Sequence, residues 1–355
     1  MALRICLIPG DGIGPEVVGA ARRTLDATGV GIEWDEHEVG ETAYSDGGDA
    51  LPERVVDAIR ECGVALKGPV ATRAEDPYRS VNVMLRERLD LYLGVRPSRA
   101  IKGVRTPFPG TDLVVVRMTA GDLYAGLEYR PDDDAAAAIR GAIEASGGAT
   151  PAADAGISVK AISGHAAERA ARATFRWALE NSRRRVTIVH KANVIRASDG
   201  VFLESARAAA PDFPELEVGD LLVDRVCADL VRRPAEFDVL FAPMLYGDIV
   251  SDLAGGLCGG LGVAAGANLG DGCAVFEAVH GSAPRHAGRG TANPAALILS
   301  GAMLLRHVGE AEAAGRIEAA VGGAIEDGAA TPDLARDGAE PVSTEGMADA
   351  IVERL

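Results

Sequence analysis

The sequence predicts an α/β protein built as two lobes, and three observations carry that reading. Short apolar runs of strand length, LRICLI and FDVLFA among them, alternate with stretches whose apolar residues recur at helical spacing. At 355 residues the chain is longer than one ordinary core requires, which favours two lobes. The glycines after the first strand, Gly10, Gly12 and Gly14, sit too close together for a dinucleotide fingerprint, and no acid follows a second strand at the distance that motif needs. The opening LRICLIPGDGIGPEVV, with Pro15 leading into a helix, therefore reads as a plain strand-to-helix turn.

Hydrophobic residues make up 48% of the chain, enough for a packed core and too many for disorder. The net charge of −16 argues against nucleic acid and against an anionic membrane surface, so an anionic substrate must be met by a local cluster of arginines. The N-terminal MALRICLIPGDG does not read as a signal peptide, and no apolar stretch approaches the length that spans a bilayer. Five scattered cysteines in no paired spacing fit the reduced thiols of a cytoplasmic protein. Only Lys67, Lys102, Lys160 and Lys191 are lysines among 36 basic residues. Arg keeps its proton in proteins whereas Lys can release it, so each of the four asks for an explanation.

Taken in order, residues 31–38 form a short strand, and ERVVDAIRECGVALKGPV forms helix, strand and turn, ending at Thr72. Arg73, Arg79, Arg86, Arg88 and Arg96 then cluster with Ser80 and Asn82. Ser80, Asn82 and Arg86 enter a helix, where hydroxyl, amide and guanidinium can converge on one carboxylate, while Arg88 reads as a solvated helix face. Arg96 and Arg117 each end an apolar segment, where a cation needs a partner or a ligand. Tyr124, taken alone, is as well explained by packing. Residues 131–156, acidic and rich in Ala and Gly, predict one short helix and a mobile loop. HAAERAARATFRWALENSRRR is an amphipathic helix with Phe175 and Trp177 on its buried side. It feeds the strand VTIVHK, which delivers Lys191, a candidate for a pKa depressed by desolvation and nearby positive charge.

The run Asp238 to Ala242 reads as a buried strand, and after Pro243 the spacing of GDIVSDLAGGL suits a helix. Asp248 and Asp252, four apart, then share one face, an arrangement that is unfavourable unless a cation lies between them. Asp224 ends another apolar run, Leu221 to Val223. Three carboxylates without Cys or His make a hard-oxygen site, suited to Mg²⁺ or Mn²⁺. Taken singly, Asp248 reads as a helix cap and Asp252 as a solvated side chain; Gly255, Gly256, Gly259 and Gly260 instead favour a surface that something approaches closely. The loop AVFEAVHGSAPRHAGRGTANP carries Glu277, His280, Arg285, His286 and Asn293 among small residues, on which a flat ligand could lie and where the basic pair could meet a phosphate. Two helices follow, then TPDLAR and a terminal helix from Ser343.

In this order the motifs IPGDGIGPEV, LGVRP, HKANVIRASDGVF, GDIVSDLAGGLCGGLG and FEAVHGSAP resemble the β-decarboxylating dehydrogenases, the isocitrate/isopropylmalate dehydrogenase family, over essentially the whole chain. The resemblance implies a two-lobed, non-Rossmann α/β fold with a large mixed sheet, residues 1–98 and 256–355 forming the large, cofactor-side lobe and 99–255 the smaller lobe of a homodimer with shared sites. It implies a divalent metal on Asp248 and Asp252 with Asp224 from the other subunit. Arg86, Arg96 and Arg117 would clamp the malate carboxylates, Lys191 of the neighbour would take the hydroxyl proton, and Tyr124 would protonate the enolate left by CO₂ loss.

Within the family, Ser80 to Asn82 is similar to the isocitrate type. Relatives that use NAD place an Asp after HGSAP, where this chain has Arg285 and His286, and a Gly where it has Arg336; the resemblance therefore implies NADP. Thr72, Gly281, Ala283, Pro284, Asn293 and Asp333 would complete the cofactor site. The family's Arg-Glu-Asn-Thr-Glu segment appears here as Arg117-Met118-Thr119-Ala120-Gly121, Arg73 is an added base, and Ala71 replaces a Thr. The excess positive charge allows a substrate more anionic than isocitrate, such as 3-phosphonomethylmalate, beside homoisocitrate or 3-isopropylmalate. A non-catalytic regulatory subunit is the reading of another class; intact Tyr124, Lys191 and the three aspartates oppose it.

Overall fold

A computed structural model of the chain describes residues 2–72, 76–336 and 338–355. In chain order the elements are β1 (Leu3–Ile8), α1 (Gly14–Asp26), β2 (Ile32–Glu36), α2 (Gly40–Gly47), α3 (Glu53–Cys62), β3 (Val64–Lys67), α4 (Val81–Arg88), β4 (Leu93–Arg99), β5 (Asp112–Met118), β6 (Glu128–Tyr129), α5 (Asp134–Ala145) and β7 (Ile157–Ser158). They continue with α6 (Gly164–Glu180), β8 (Arg185–His190), α7 (Ser198–Ala209), β9 (Glu217–Leu222), α8 (Val223–Leu230), β10 (Val239–Ala242), α9 (Met244–Leu257), β11 (Ala265–Leu269), β12 (Ala274–Ala278), α10 (Ala295–His307), α11 (Ala311–Glu326) and α12 (Thr344–Val352).

Among the described residues, ten strands form one mixed sheet in the order β2-β1-β3-β12-β11-β4-β5-β10-β8-β9. Its outer strands pair in parallel, and the antiparallel ladders lie in the middle, between β12, β11, β4 and β5. The β4–β5 ladder divides the sheet by chain position. Strands from residues 3–99 and 265–278 lie on one side, and strands from residues 112–242 on the other. Parallel strands covered on both faces are expected to be continuously apolar, and Val239 to Ala242 of β10 are buried throughout. Among the described residues, no helix is long and apolar enough to cross a membrane.

The glycines of the first turn serve backbone approach. Gly10 and Gly12 have φ of 75° and 61°, and a Cβ on Gly12 would stand 2.0 Å from the Ser282 carbonyl oxygen. Ile13 N–H donates to that same carbonyl at 2.9 Å. Asp11 between them accepts from the amides of Ala71 at 2.8 Å and Glu41 at 3.1 Å. The turn thus ties the loop after β12 to the loop after β3, and two segments far apart in sequence become neighbours beneath the site.

Several elements differ from the sequence expectation. Asp224 lies in the first turn of α8 rather than at the end of a strand, because β9 stops at Leu222. Arg96 sits inside β4, which runs on to Arg99. Arg88 is no free solvated side chain: it donates to the Leu51 carbonyl at 2.8 Å and pairs with Glu53. In residues 131–156 the helix α5 forms, framed by an antiparallel pairing of β6 with β7 that alternation could not reveal in strands of two residues.

Candidate active site

The centre of the site is the flank of α9. Pro243 ends the buried strand β10 and precedes the helix, whose Met244, Gly247, Ser251 and Ala254 face inward. Gly247 is required there: a Cβ would lie 2.9 Å from Cβ of Arg117 on β5. The next position along, Asp248, and Asp252 one turn later are left at the rim, with side chains 32% and 51% exposed. Asp248 therefore lies inside the helix and does not cap it.

Arg96 and Arg117 arrive from adjacent antiparallel strands, where Gly94 pairs with Arg117 and Arg96 with Val115. Arg96 Nη1 reaches Asp248 Oδ1 at 3.0 Å, Ser251 Oγ at 2.7 Å and Asp252 Oδ1 at 3.3 Å. Arg117, almost fully buried, donates from Nε to the Met244 carbonyl at 2.7 Å and from Nη1 to Asp248 Oδ1 at 2.8 Å. Its Nη2 is buried without an acceptor among the described residues. Tyr124 donates its hydroxyl to Asp248 Oδ2 at 2.5 Å, with the Arg117 guanidinium 5.0 Å from its ring centre.

These contacts set the charge states. Burial works to neutralise Asp248, but the Arg117 and Arg96 guanidiniums outweigh it and hold the carboxyl below its usual range. Burial and the bond to Asp248 push the Tyr124 hydroxyl above its ordinary pKa, so it keeps its proton. Burial raises Asp252, with Arg96 opposing. Burial and the neighbouring Arg96 lower Arg117 to about 10.

Beside this centre lies a cavity of about 100 Å³ lined by Asn82, Arg86, Arg96, Asn268, Glu277 and His280. Glu277 anchors it. Its carboxylate pairs with the buried Lys67 at 2.7 Å, accepts from Asn268 Nδ2 at 2.6 Å and meets Arg86 Nη2 at 3.4 Å. Burial opposes ionisation, yet Lys67 and Arg86 bring Glu277 down to about 2. Arg86 also donates from Nε to Asn268 Oδ1 at 2.9 Å. Asn82 Oδ1 and His280 Nε2 are buried and have no partner among the described residues, two polar atoms beside the cavity. Burial lowers His280, keeping its ring neutral.

The other expected residues fall around this core. Ser80 and Thr72 share a hydroxyl contact of 3.1 Å. Arg73 lies outside the described residues. Gly281, Ala283, Pro284, Arg285 and His286 form the loop against the first turn, with both basic side chains exposed. Asn293 donates to Asp333 at 2.9 Å, and Thr331 donates to the other Asp333 oxygen at 2.6 Å. Arg336 is exposed.

Lys191 follows β8 and pairs with Asp224. The group beside it is therefore an acid, not the cation that the sequence reading placed there, and Lys191 in turn holds Asp224 below the usual carboxylate range. Asp224 does not join Asp248 and Asp252: among the described residues no three His, Cys, Asp or Glu side chains come close enough to hold a metal. Two oxygen ligands on one helix face do fit a hard divalent ion, and a single cationic nitrogen of Arg96 already bridges them. Sequence reasoning missed Lys67, Ser251 and Asn268; the scarcity of lysines was the one signal for Lys67.

The family model described as isocitrate/isopropylmalate dehydrogenase matches residues 4–351. The chain belongs to this family. A relative named isocitrate/homoisocitrate dehydrogenase, from Thermus thermophilus, is 46% identical over all of this chain and 99% of its own length. The protein named isocitrate dehydrogenase [NAD] subunit alpha, mitochondrial, of Homo sapiens is 40% identical over 93% of this chain and 85% of its own. The crystal structure of isocitrate dehydrogenase from Methylococcus capsulatus superposes with a TM-score of 0.90 at 45% identity, covering 100% of this chain and 99% of that one. The family's reaction is an oxidative decarboxylation that uses a nicotinamide cofactor and a divalent metal ion.

Proposed function

We propose that the chain oxidises and decarboxylates isocitrate, or a closely related 3-substituted malate, with NADP⁺ and Mg²⁺ or Mn²⁺, as a homodimer with shared sites. One observation carries the reading: two guanidiniums and a phenol converge on Asp248, with Asp252 one turn away. Such a cluster is built to receive a polyanion together with a cation. The division of the sheet at the β4–β5 ladder supports a large lobe of residues 1–98 and 256–355 and a smaller one of 99–255.

In this reading Arg86, Arg96 and Arg117 hold the substrate carboxylates, with Ser80 and Asn82 beside them. Asp248 and Asp252 hold the metal, joined by Asp224 of the neighbouring chain. When bound, the ion supplies Lewis acidity at the substrate's hydroxyl oxygen, and the nicotinamide supplies the hydride acceptor. Lys191 of the neighbour removes the hydroxyl proton, which an arginine could not do. Once CO₂ has left, Tyr124 gives its proton to the enolate carbon. The raised pKa of its hydroxyl keeps that proton in place until then.

NADP is favoured over NAD by the exposed Arg285, His286 and Arg336. Guanidiniums there attract a 2′-phosphate, whereas the Asp333 carboxylate is occupied by Asn293 and Thr331. Relatives named for NAD make cofactor choice the property to measure.

A second reading, a substrate more anionic than isocitrate, is favoured by the unpartnered Nη2 of buried Arg117. The acids missing at Met118 and Gly121 are not replaced there, since Asp122 turns to Lys160 and to backbone amides. A panel of isocitrate, homoisocitrate, 3-isopropylmalate and 3-phosphonomethylmalate, each with NAD⁺ and NADP⁺ and followed at the nicotinamide absorbance, decides among these. Isocitrate with NADP⁺ is expected to give the highest kcat/KM. Preference for the phosphonate selects the second reading, and no reduction with any pair rejects catalysis by this chain alone.

A further inference from the structure

Lys160 belongs to none of the site residues above. It follows β7 and is largely buried, with its ammonium 2.5 Å from Asp199 Oδ1, 3.6 Å from Asp122 Oδ1 and 4.4 Å from the ring centre of Tyr246. Both carboxylates are fully buried. Buried ions are costly unless their remaining lone pairs are satisfied, and here backbone amides do so. Asp122 accepts from Leu123 N–H and from Leu245 N–H, each at 2.9 Å, and Asp199 Oδ2 accepts from Lys191 N–H at 2.7 Å. Those three amides belong to the turn that carries Tyr124, to the first turn of α9, which carries Asp248 and Asp252, and to Lys191.

The backbone adds an independent observation. Asp122 has φ 60° and ψ −161°, a conformation nearly confined to glycine. Its amide is held at 2.8 Å by the carbonyl of Ala161, the residue after Lys160. Strain of this kind persists only where the surroundings enforce it, and it concentrates where a geometry is functional.

We infer that Lys160 is a positioning residue which, through Asp122 and Asp199, fixes Tyr124 and Lys191 for proton transfer. The inference rests on the roles assigned above to those two side chains. In the shared-site dimer they serve different sites, so one buried cluster sets the register between both. Arg86 of the carboxylate clamp makes its bonds to Asn268 and Glu277, outside the cluster.

The test uses the full-length protein and the variants Lys160→Met, Lys160→Arg and Asp122→Gly, with Tyr124→Phe and Lys191→Met as controls. Asp122→Gly removes the carboxylate while relieving the backbone, so it separates positioning from stability. Lys160→Met and Asp122→Gly are expected to lose about tenfold or more in kcat with KM for substrate changed less than about threefold. The pH profile of kcat should shift, Asp122→Gly should melt below wild type by less than a broken buried pair alone would cost because its backbone strain is relieved, and Lys160→Arg should regain part of the activity. Wild-type kcat and pH profile in Lys160→Met and Asp122→Gly, while the controls are inactive, would overturn the role of Lys160 alone. Activity that falls only in step with melting temperature overturns it as well. Wild-type activity in the Tyr124 and Lys191 controls instead removes the assignments beneath it, and the inference goes with them.

Discussion

The Tyr124 hydroxyl donates to one oxygen of Asp248 at 2.5 Å, while Arg117 and Arg96 hold the other at 2.8 and 3.0 Å. One carboxylate therefore orients both the proposed proton donor and two cations of the clamp. Tyr124→Phe keeps the ring beside Arg117 and removes the proton. Its turnover is expected to fall by about 10²–10⁴-fold with little change in KM. Added β-keto acid would still lose CO₂, but the enolate left behind would be protonated correspondingly slowly. Turnover within a few-fold of wild type would exclude Tyr124 as the donor.

Glu277 and Lys67 form the buried support beneath Arg86. Glu277→Gln leaves the buried Lys67 ammonium with neutral oxygen partners, the Gly68 carbonyl and the new amide, and loses about 3–5 kcal/mol of stability. The pH dependence follows from the Glu277 pKa, lowered to about 2 from 4.5. A depressed carboxyl stabilises the fold fully above the unfolded value, and that contribution disappears as pH falls from about 4.5 to 2. Urea unfolding of the two proteins at pH 7 and pH 3 should show the gap narrowing on acidification, and a constant gap would contradict the pairing.

Asp252→Asn tests the cation site without touching the bonds of Tyr124 or Arg117. Mn²⁺ affinity, read by electron paramagnetic resonance in the presence of isocitrate, should weaken about tenfold or more, while melting changes little because Asp252 is half exposed. Unaltered Mn²⁺ binding would move the metal elsewhere.

For the cofactor, Arg285→Asp combined with Arg336→Gly should lower kcat/KM for NADP⁺ by about tenfold or more and raise it for NAD⁺, through loss of guanidinium contacts to a 2′-phosphate. Equal effects on both cofactors would place these side chains outside the ribose site.

Much of this was legible in the chain because single elements carried it. The strand ending at Ala242 and the helix after Pro243 follow from local pattern, and the spacing of Asp248 and Asp252 on that helix gives their shared face. The order of strands was not legible, since β11 and β12 insert between β3 and β4 through pairings some 200 residues apart. Asp224 was misplaced because Leu221 to Val223 is apolar on both sides of a strand-to-helix change. The burial of Lys67 and Lys160 is not legible in the sequence, because their partners Glu277, Asp122 and Asp199 are brought to them by the fold.

The most direct test of the shared site mixes Asp224→Asn and Asp252→Asn chains by co-expression, assayed at a Mn²⁺ concentration at which either variant alone is inactive. In a mixed dimer one site receives Asp252 from one chain and Asp224 from the other, both intact. Activity should return to about a quarter of wild type, as random pairing of two chains into symmetric dimers requires. Mixed protein as inactive as either parent would contradict a site built from two chains.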